Sequence, residues 1–225
     1  GLATWEEVNR NPAWTRNMRR ELIDALANDE VIRVREMNRA FRGPRILFGY
    51  YQSGLVCQML IERHGFPPMV RLLEAFDRGQ DLDQALAGVF ATTPEALDRE
   101  FDAWARRHVA DLRVEPRWSP ARLRRLALST PRKAPQDAAA RAQWAEDRVT
   151  LAVGAWQGGR KVDAQEALRT IKDLDPEPAR ASLLRAALAL SEGDHERATG
   201  HYRAAFAAGL EDYRGRMALA ALARD

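Results

Sequence analysis

The sequence predicts an all-α protein in two parts, and three observations carry that expectation. Apolar and aromatic residues recur at helical spacing, as in Leu97, Phe101, Trp104 and His108 at i, i+4, i+7 and i+11. No convincing run alternates apolar and polar residues with the period of a strand. Helix starts and stops punctuate the chain, as at Thr93-Pro94-Glu95. There Thr can cap, Pro fits the first turn, and Glu lies at the positive end of the helix dipole.

In order, residues 1–9 read as a helix that Asn11-Pro12 breaks. A second helix is expected over Trp14–Asn28, with Met18, Leu22, Ala25 and Leu26 on one face. Val31–Phe41 fits a short helix or an extended chain, and Gly43-Pro44 is a turn. The most apolar stretch follows as a helix from about Gly49 to His64. Leu55, Val56, Met59 and Leu60 form its stripe, Tyr50 and Tyr51 its entrance, and Gly65 its stop. After Pro67-Pro68, Met69, Leu72, Leu73 and Phe76 are spaced for one face of a helix ending at Gly79. A short helix, Leu82–Phe90, precedes the one capped by Thr93.

Composition changes between Val114 and Asp137, where four prolines flank a short basic helix around Ala121–Leu128. This stretch reads as a linker. The expected domains are therefore 1–114, a linker 115–137, and an Ala-rich helical part 138–225. Arg106–Lys133 is the most basic stretch, and an anionic partner is one reading of it. A solvated arginine face, with Leu123, Leu126 and Leu128 packed on a neighbour, fits better, because Trp118 is the only aromatic interleaved. No nucleic-acid partner is expected, and a net charge of +3 is too small to argue for one. No stretch is long and apolar enough to cross a membrane. The one cysteine, Cys57, reads as a buried small hydrophobe. The chain starts at Gly1 within a helix-like segment and reads as a piece of a longer protein, so its start carries no information on targeting.

The C-terminal part repeats itself. Gly159-Arg-Lys-Val-Asp-Ala164 aligns with Gly193-Asp-His-Glu-Arg-Ala198, an offset of 34 residues, and Leu168 then falls on Tyr202 and Ile171 on Ala205. Each unit reads as a helix, a glycine turn and a second helix. The small Ala after the turn allows close approach, and the larger residue four later fills the gap. This period, with Leu174-Asp175-Pro176 ending the first unit, resembles the tetratricopeptide repeat family over about Asp137–Asp225. Ser182 and Ala186 replace the large aromatic and Gly usual early in the first helix. The resemblance implies a short hairpin stack that binds a protein or peptide partner.

Gly1-Leu-Ala-Thr-Trp-Glu-Glu resembles a stretch in gluzincin zinc metallopeptidases. In those enzymes a Glu just before the Gly is the third zinc ligand, and His-Glu-x-x-His lies further upstream. Tyr51-Gln-Ser-Gly54-Leu-Val-Cys-Gln-Met-Leu60 is similar to a following helix of that superfamily. Gly65-Phe-Pro, Leu72-Leu, Phe76, Gly79, Ala85-Leu86, Thr93-Pro-Glu, Leu97, Glu100-Phe and Trp104 resemble the helical subdomain of bacterial peptidase-MA-like proteins. The resemblance covers about 1–112. It implies a peptidase-MA-like helical subdomain followed by a tetratricopeptide-like αα-hairpin stack. It also implies a parent that hydrolyses peptide bonds with metal-activated water, in the bacterial cell envelope. Tyr51 matches the phenol that stabilises the oxyanion in such enzymes, and Tyr50 is the neighbour that could be confused with it. Zinc is expected in the full-length parent and none in this chain, whose ligands would lie before Gly1; by itself the chain is expected to be inactive. The alternative is a non-catalytic interaction scaffold or pseudo-peptidase.

Other candidates carry less. His195 and His201 are six apart, which puts them on different faces of a helix, against the i, i+4 spacing of zinc helices. His64 sits where a helix dipole favours a cation, and His108 fits a packed histidine beside Trp104. Asp137, Glu146, Asp147, Glu192, Asp194 and Glu196 form no pair that spacing can assign as acid and base. No phosphate-binding glycine loop or nucleophile elbow occurs.

Overall fold

Local capping and turn chemistry set many of the helix ends in the computed structural model, which describes residues 1–14 and 16–223. Among the described residues there are thirteen α-helices and no strand, with helix at 73%; the protein is all-α. The chain divides into two units, Gly1–Leu112 and Arg113–Asp225.

In the first unit, α1 is Leu2–Arg10, α2 Arg19–Asn28, α3 Met37–Ala40, α4 Ile46–His64, α5 Pro67–Asp77, α6 Leu82–Phe90 and α7 Pro94–His108. Short 3₁₀ turns at Pro12–Trp14, Val34–Glu36 and Ala110–Leu112 join them. The helix expected from Trp14 starts at Arg19. The side chain of Asn17 accepts the Arg19 amide at 3.1 Å, a local bond that competes with helix. Thr15 lies outside the described residues. The ambiguous 31–41 segment divides into extended chain, a 3₁₀ turn and α3.

α6 begins with a reciprocal capping box between Asp81 and Gln84, and α7 with Thr93 accepting from the Ala96 amide. Leu22, Leu86, Leu97 and Phe101 are almost fully buried, and they share one core with Leu55, Val56, Met59 and Leu60 of α4. α5 divides its apolar residues. Met69 and Leu72 reach the core, but Leu73 is 54% and Phe76 42% exposed. The inner face of α5 includes the small residues Pro68 and Ala75, which turns the large side chains outward.

A polar residue anchors this core. Gln52 on α4 is fully buried and bonds both ways to the backbone of Ile32. Its Oε1 accepts the Ile32 amide at 2.9 Å, and its Nε2 donates to the Ile32 carbonyl at 2.6 Å. One amide side chain thus completes the extended segment before the Val34–Glu36 turn, as a neighbouring strand would. Next to it, Asp98 accepts the Val34 amide at 2.9 Å, and Asp102 pairs with Arg33 at 3.1 Å.

In the second unit, α8 is Pro120–Ser129, α9 Ala138–Gln157, α10 Lys161–Arg169, α11 Ala179–Ser191, α12 His195–Ala207 and α13 Tyr213–Leu222. The stretch 115–137 is tied into this unit. Leu123 of α8 occupies the space that a side chain at Gly154 of α9 would need. Gln157 bonds the Trp118 amide at 3.0 Å and the Pro116 carbonyl at 2.7 Å, and the Trp144 indole donates to Pro131 at 2.8 Å. Leu128 does not pack as expected: it is 84% exposed, while Leu123 and Leu126 share the half-buried face.

α9 pairs with α10 and α11 with α12, and the repeat seen in sequence is repeated in geometry. Gly159 and Gly193 both take left-handed φ angles, 75° and 76°, at the turns. Ala164 and Ala198 are each fully buried one turn into the second helix. Leu168 and Tyr202 follow at 1% and 5% exposure, then Ile171 and Ala205 at zero. Arg180 is half-buried between Glu115, at 2.6 Å, and Glu146, at 2.8 Å. Burial opposes its charge, but those two carboxylates outweigh it and leave the pKa raised.

Candidate functional site

The first site is built on α4. Gly54 allows α1 to approach, since a Cβ there would sit 3.2 Å from Thr4. Gly1 lies against the next turn, where a Cβ would meet the Ser53 carbonyl at 2.8 Å and the Cys57 sulfur at 2.9 Å. The beginning of α1 is therefore fixed on the 53–57 turn of α4, adjoining the turn that carries Tyr51. Cys57 is half-buried, and burial raises its thiol pKa, so it is a poor nucleophile.

The two neighbouring tyrosines have different surroundings. Tyr50 is 46% exposed and stacks on Phe41, with ring centres 4.9 Å apart. Tyr51 is half-buried against the core, its ring 6.4 Å from that of Phe48. Its hydroxyl makes no hydrogen bond to another described residue. Burial pushes its pKa up to about 12; nearby Arg19 pulls it down and Glu21 pushes it up. The phenol is accordingly a protonated donor at neutral pH. Arg19 itself is held by the His108 carbonyl at 2.9 Å and by Asp111.

The histidines stay apart. His64 is exposed, with its ring 5.2 Å from that of Phe90. His108 stacks on Trp104 at 4.6 Å, and burial, with Arg19, lowers its pKa. His195 opens α12, and His201 lies further along it. Among the described residues no three His, Cys, Asp or Glu side chains converge to hold a metal ion. Among the described residues no helix is long and apolar enough to cross a membrane.

A second site lies wholly in the second unit, where α10, α11 and α12 enclose a cleft of about 370 Å³. Leu168 and Leu188 line its buried side, and Arg169, Lys172, Arg185 and Arg197 also line it. Its two carboxylates are engaged within the protein. Glu177 pairs with Arg185 at 2.6 Å; Glu192 takes Lys161 at 3.0 Å and the Gln165 amide at 2.9 Å. Sequence reading noted Glu192 as a scattered acid and missed the cations around it. Helical spacing places Leu168 and Lys172 on one face of the chain, but only the packing of three helices brings Arg185 and Arg197 to them.

No protein family, curated protein or solved structure matches this chain.

Proposed function

We propose that residues 1–112 form the helical portion of a gluzincin-type peptidase domain, and that the second unit is a tetratricopeptide-like stack that binds a protein or peptide partner. The observation that carries the first part is Tyr51. Its hydroxyl is protonated, on a half-buried side chain, and bonds to no other described residue; it lies next to the turn on which the Gly-Leu-Ala-Thr-Trp helix rests. Such a donor can form its bond when an oxyanion develops, which is where such a bond accelerates acyl chemistry. The catalytic metal, on this reading, is held by residues outside this chain, and residues 1–225 contribute positioning and one hydrogen bond.

The test uses the full-length gene product and the chain alone. The full-length protein is expected to carry stoichiometric zinc and to cleave peptides. Tyr51→Phe is expected to lower kcat by roughly 10²-fold, with KM little changed. Tight stoichiometric zinc in the chain alone, or a full-length protein with neither metal nor peptidase activity, would sink the reading.

A second reading, in which both units serve binding alone, is favoured by the outer side of α5. Phe66, Val70, Leu73 and Phe76 are all at least 39% exposed there, an apolar surface that a partner could cover. An inactive full-length protein that captures a partner through this surface would select it.

A further inference from the structure

We infer that the cleft among α10, α11 and α12 is the site at which the second unit takes its partner, and that the partner is an acidic peptide segment. The inference rests on the reading of that unit as a protein-binding stack, and it adds the location and the chemistry. Four cations line the cleft against two carboxylates; Arg185 is paired with Glu177, and Arg197 with Asp194 and Glu192. Arg169 and Lys172 are exposed on the α10 side, with no acidic partner among the described residues. They are displayed toward solvent at the cleft, an arrangement that gains from an incoming carboxylate and loses nothing internal by taking it.

Arg185 marks the inner end. It donates to the Leu168 carbonyl at 3.1 Å and to Glu177, so its guanidinium is held in place instead of sweeping solvent. A fixed guanidinium beside the exposed Arg169 and Lys172 suits an extended chain bearing several carboxylates. The positive field registers on a group that sits in it: Arg185 and Arg197 add to burial in lowering the pKa of His201.

A nucleic acid fits less well. No Phe, Tyr or Trp lines the cleft, so bases would find no stacking platform.

The experiment is fluorescence anisotropy of a labelled oligoglutamate peptide with the full chain, against a Gly/Ser peptide of equal length and a single-stranded oligothymidylate. Saturable binding of oligoglutamate is expected, with none of the Gly/Ser peptide. Arg169→Glu with Lys172→Glu is expected to weaken it at least about tenfold. Both side chains are exposed, and circular dichroism would verify that the helices persist. Reversing Arg203 and Arg214, exposed arginines that do not line this cleft, is expected to weaken it less than about threefold. Equal loss in both double variants would overturn the site, because the attraction would then be diffuse. Tighter binding of oligothymidylate would overturn the peptide assignment. Absence of oligoglutamate binding, while a non-acidic peptide selected from a random library binds this unit, would overturn the acidic class and leave the protein-binding reading standing. Failure of every peptide would remove both.

Discussion

The two units bury similar kinds of helix by different means. The first is held by large side chains, Leu22, Leu86, Leu97 and Phe101, with Gln52 as a fully buried polar anchor. The second is held largely by alanines: Ala152, Ala164, Ala181, Ala186, Ala189, Ala198 and Ala205 are all fully buried. Large side chains fill space between helices that meet in several directions. Small ones let paired helices approach until their backbones nearly touch. The first unit is therefore sensitive to loss, of volume or of a hydrogen bond, and the second to gain of volume.

The largest expected effect is at the anchor. Gln52→Leu keeps the shape but leaves the buried amide and carbonyl of Ile32 without partners, at about 2–5 kcal/mol for the pair. Hydrogen exchange should show the loss of protection in residues 1–112, with 113–223 unmoved. Equal loss in both units would break the comparison. Next is Ala198→Leu, which forces a side chain into the closest approach of α11 and α12 and should cost about 1–3 kcal/mol. Denaturant unfolding followed by exchange should place that cost in the second unit alone. Ala198→Gly, costing about 1 kcal/mol through helix propensity, calibrates the overpacking against simple alteration of the helix.

The smallest effect is one the units share. Burial lowers the pKa of His108 in the first and His201 in the second. Each histidine binds its proton more readily unfolded than folded, so the stability it contributes is present above the ordinary histidine value near 6.5. That stability falls as pH drops through this value toward the lowered folded one. Denaturant midpoints measured from neutral to mildly acidic pH should decline. Replacing His108 with Gln should flatten the decline for the first unit only.

Much of the helical plan was legible because it is local. The Thr93 cap, the Gly65 stop and the α4 stripe of Leu55, Val56, Met59 and Leu60 depend on residues within a few positions of one another. The 34-residue register was legible as well, since each alanine and the residue four later recur with the turn glycine. α5 was legible only in part, because spacing fixes which residues share a face, whereas what lies opposite decides whether that face is inside. Leu73 and Phe76 are outward for that reason, and so is Leu128. Tyr51 could be singled out from its neighbours in sequence, but its difference from Tyr50, one stacked on Phe41 at the surface and the other sunk beside Phe48, is set by packing.

By itself, then, the sequence determined the helices, their order and the paired construction of the C-terminal part. Helix propensity, capping and periodicity are short-range properties, and the chain carries them wherever it goes. Tertiary structure alone decided that Gln52 would find Ile32, 20 residues away, and that cations from α10, the turn after it, α11 and α12 would face one cleft. Those pairings join side chains separated by long stretches of chain. They form only when the apolar faces have chosen their neighbours, because a hydrogen bond or an ion pair gains too little in water to make that choice itself.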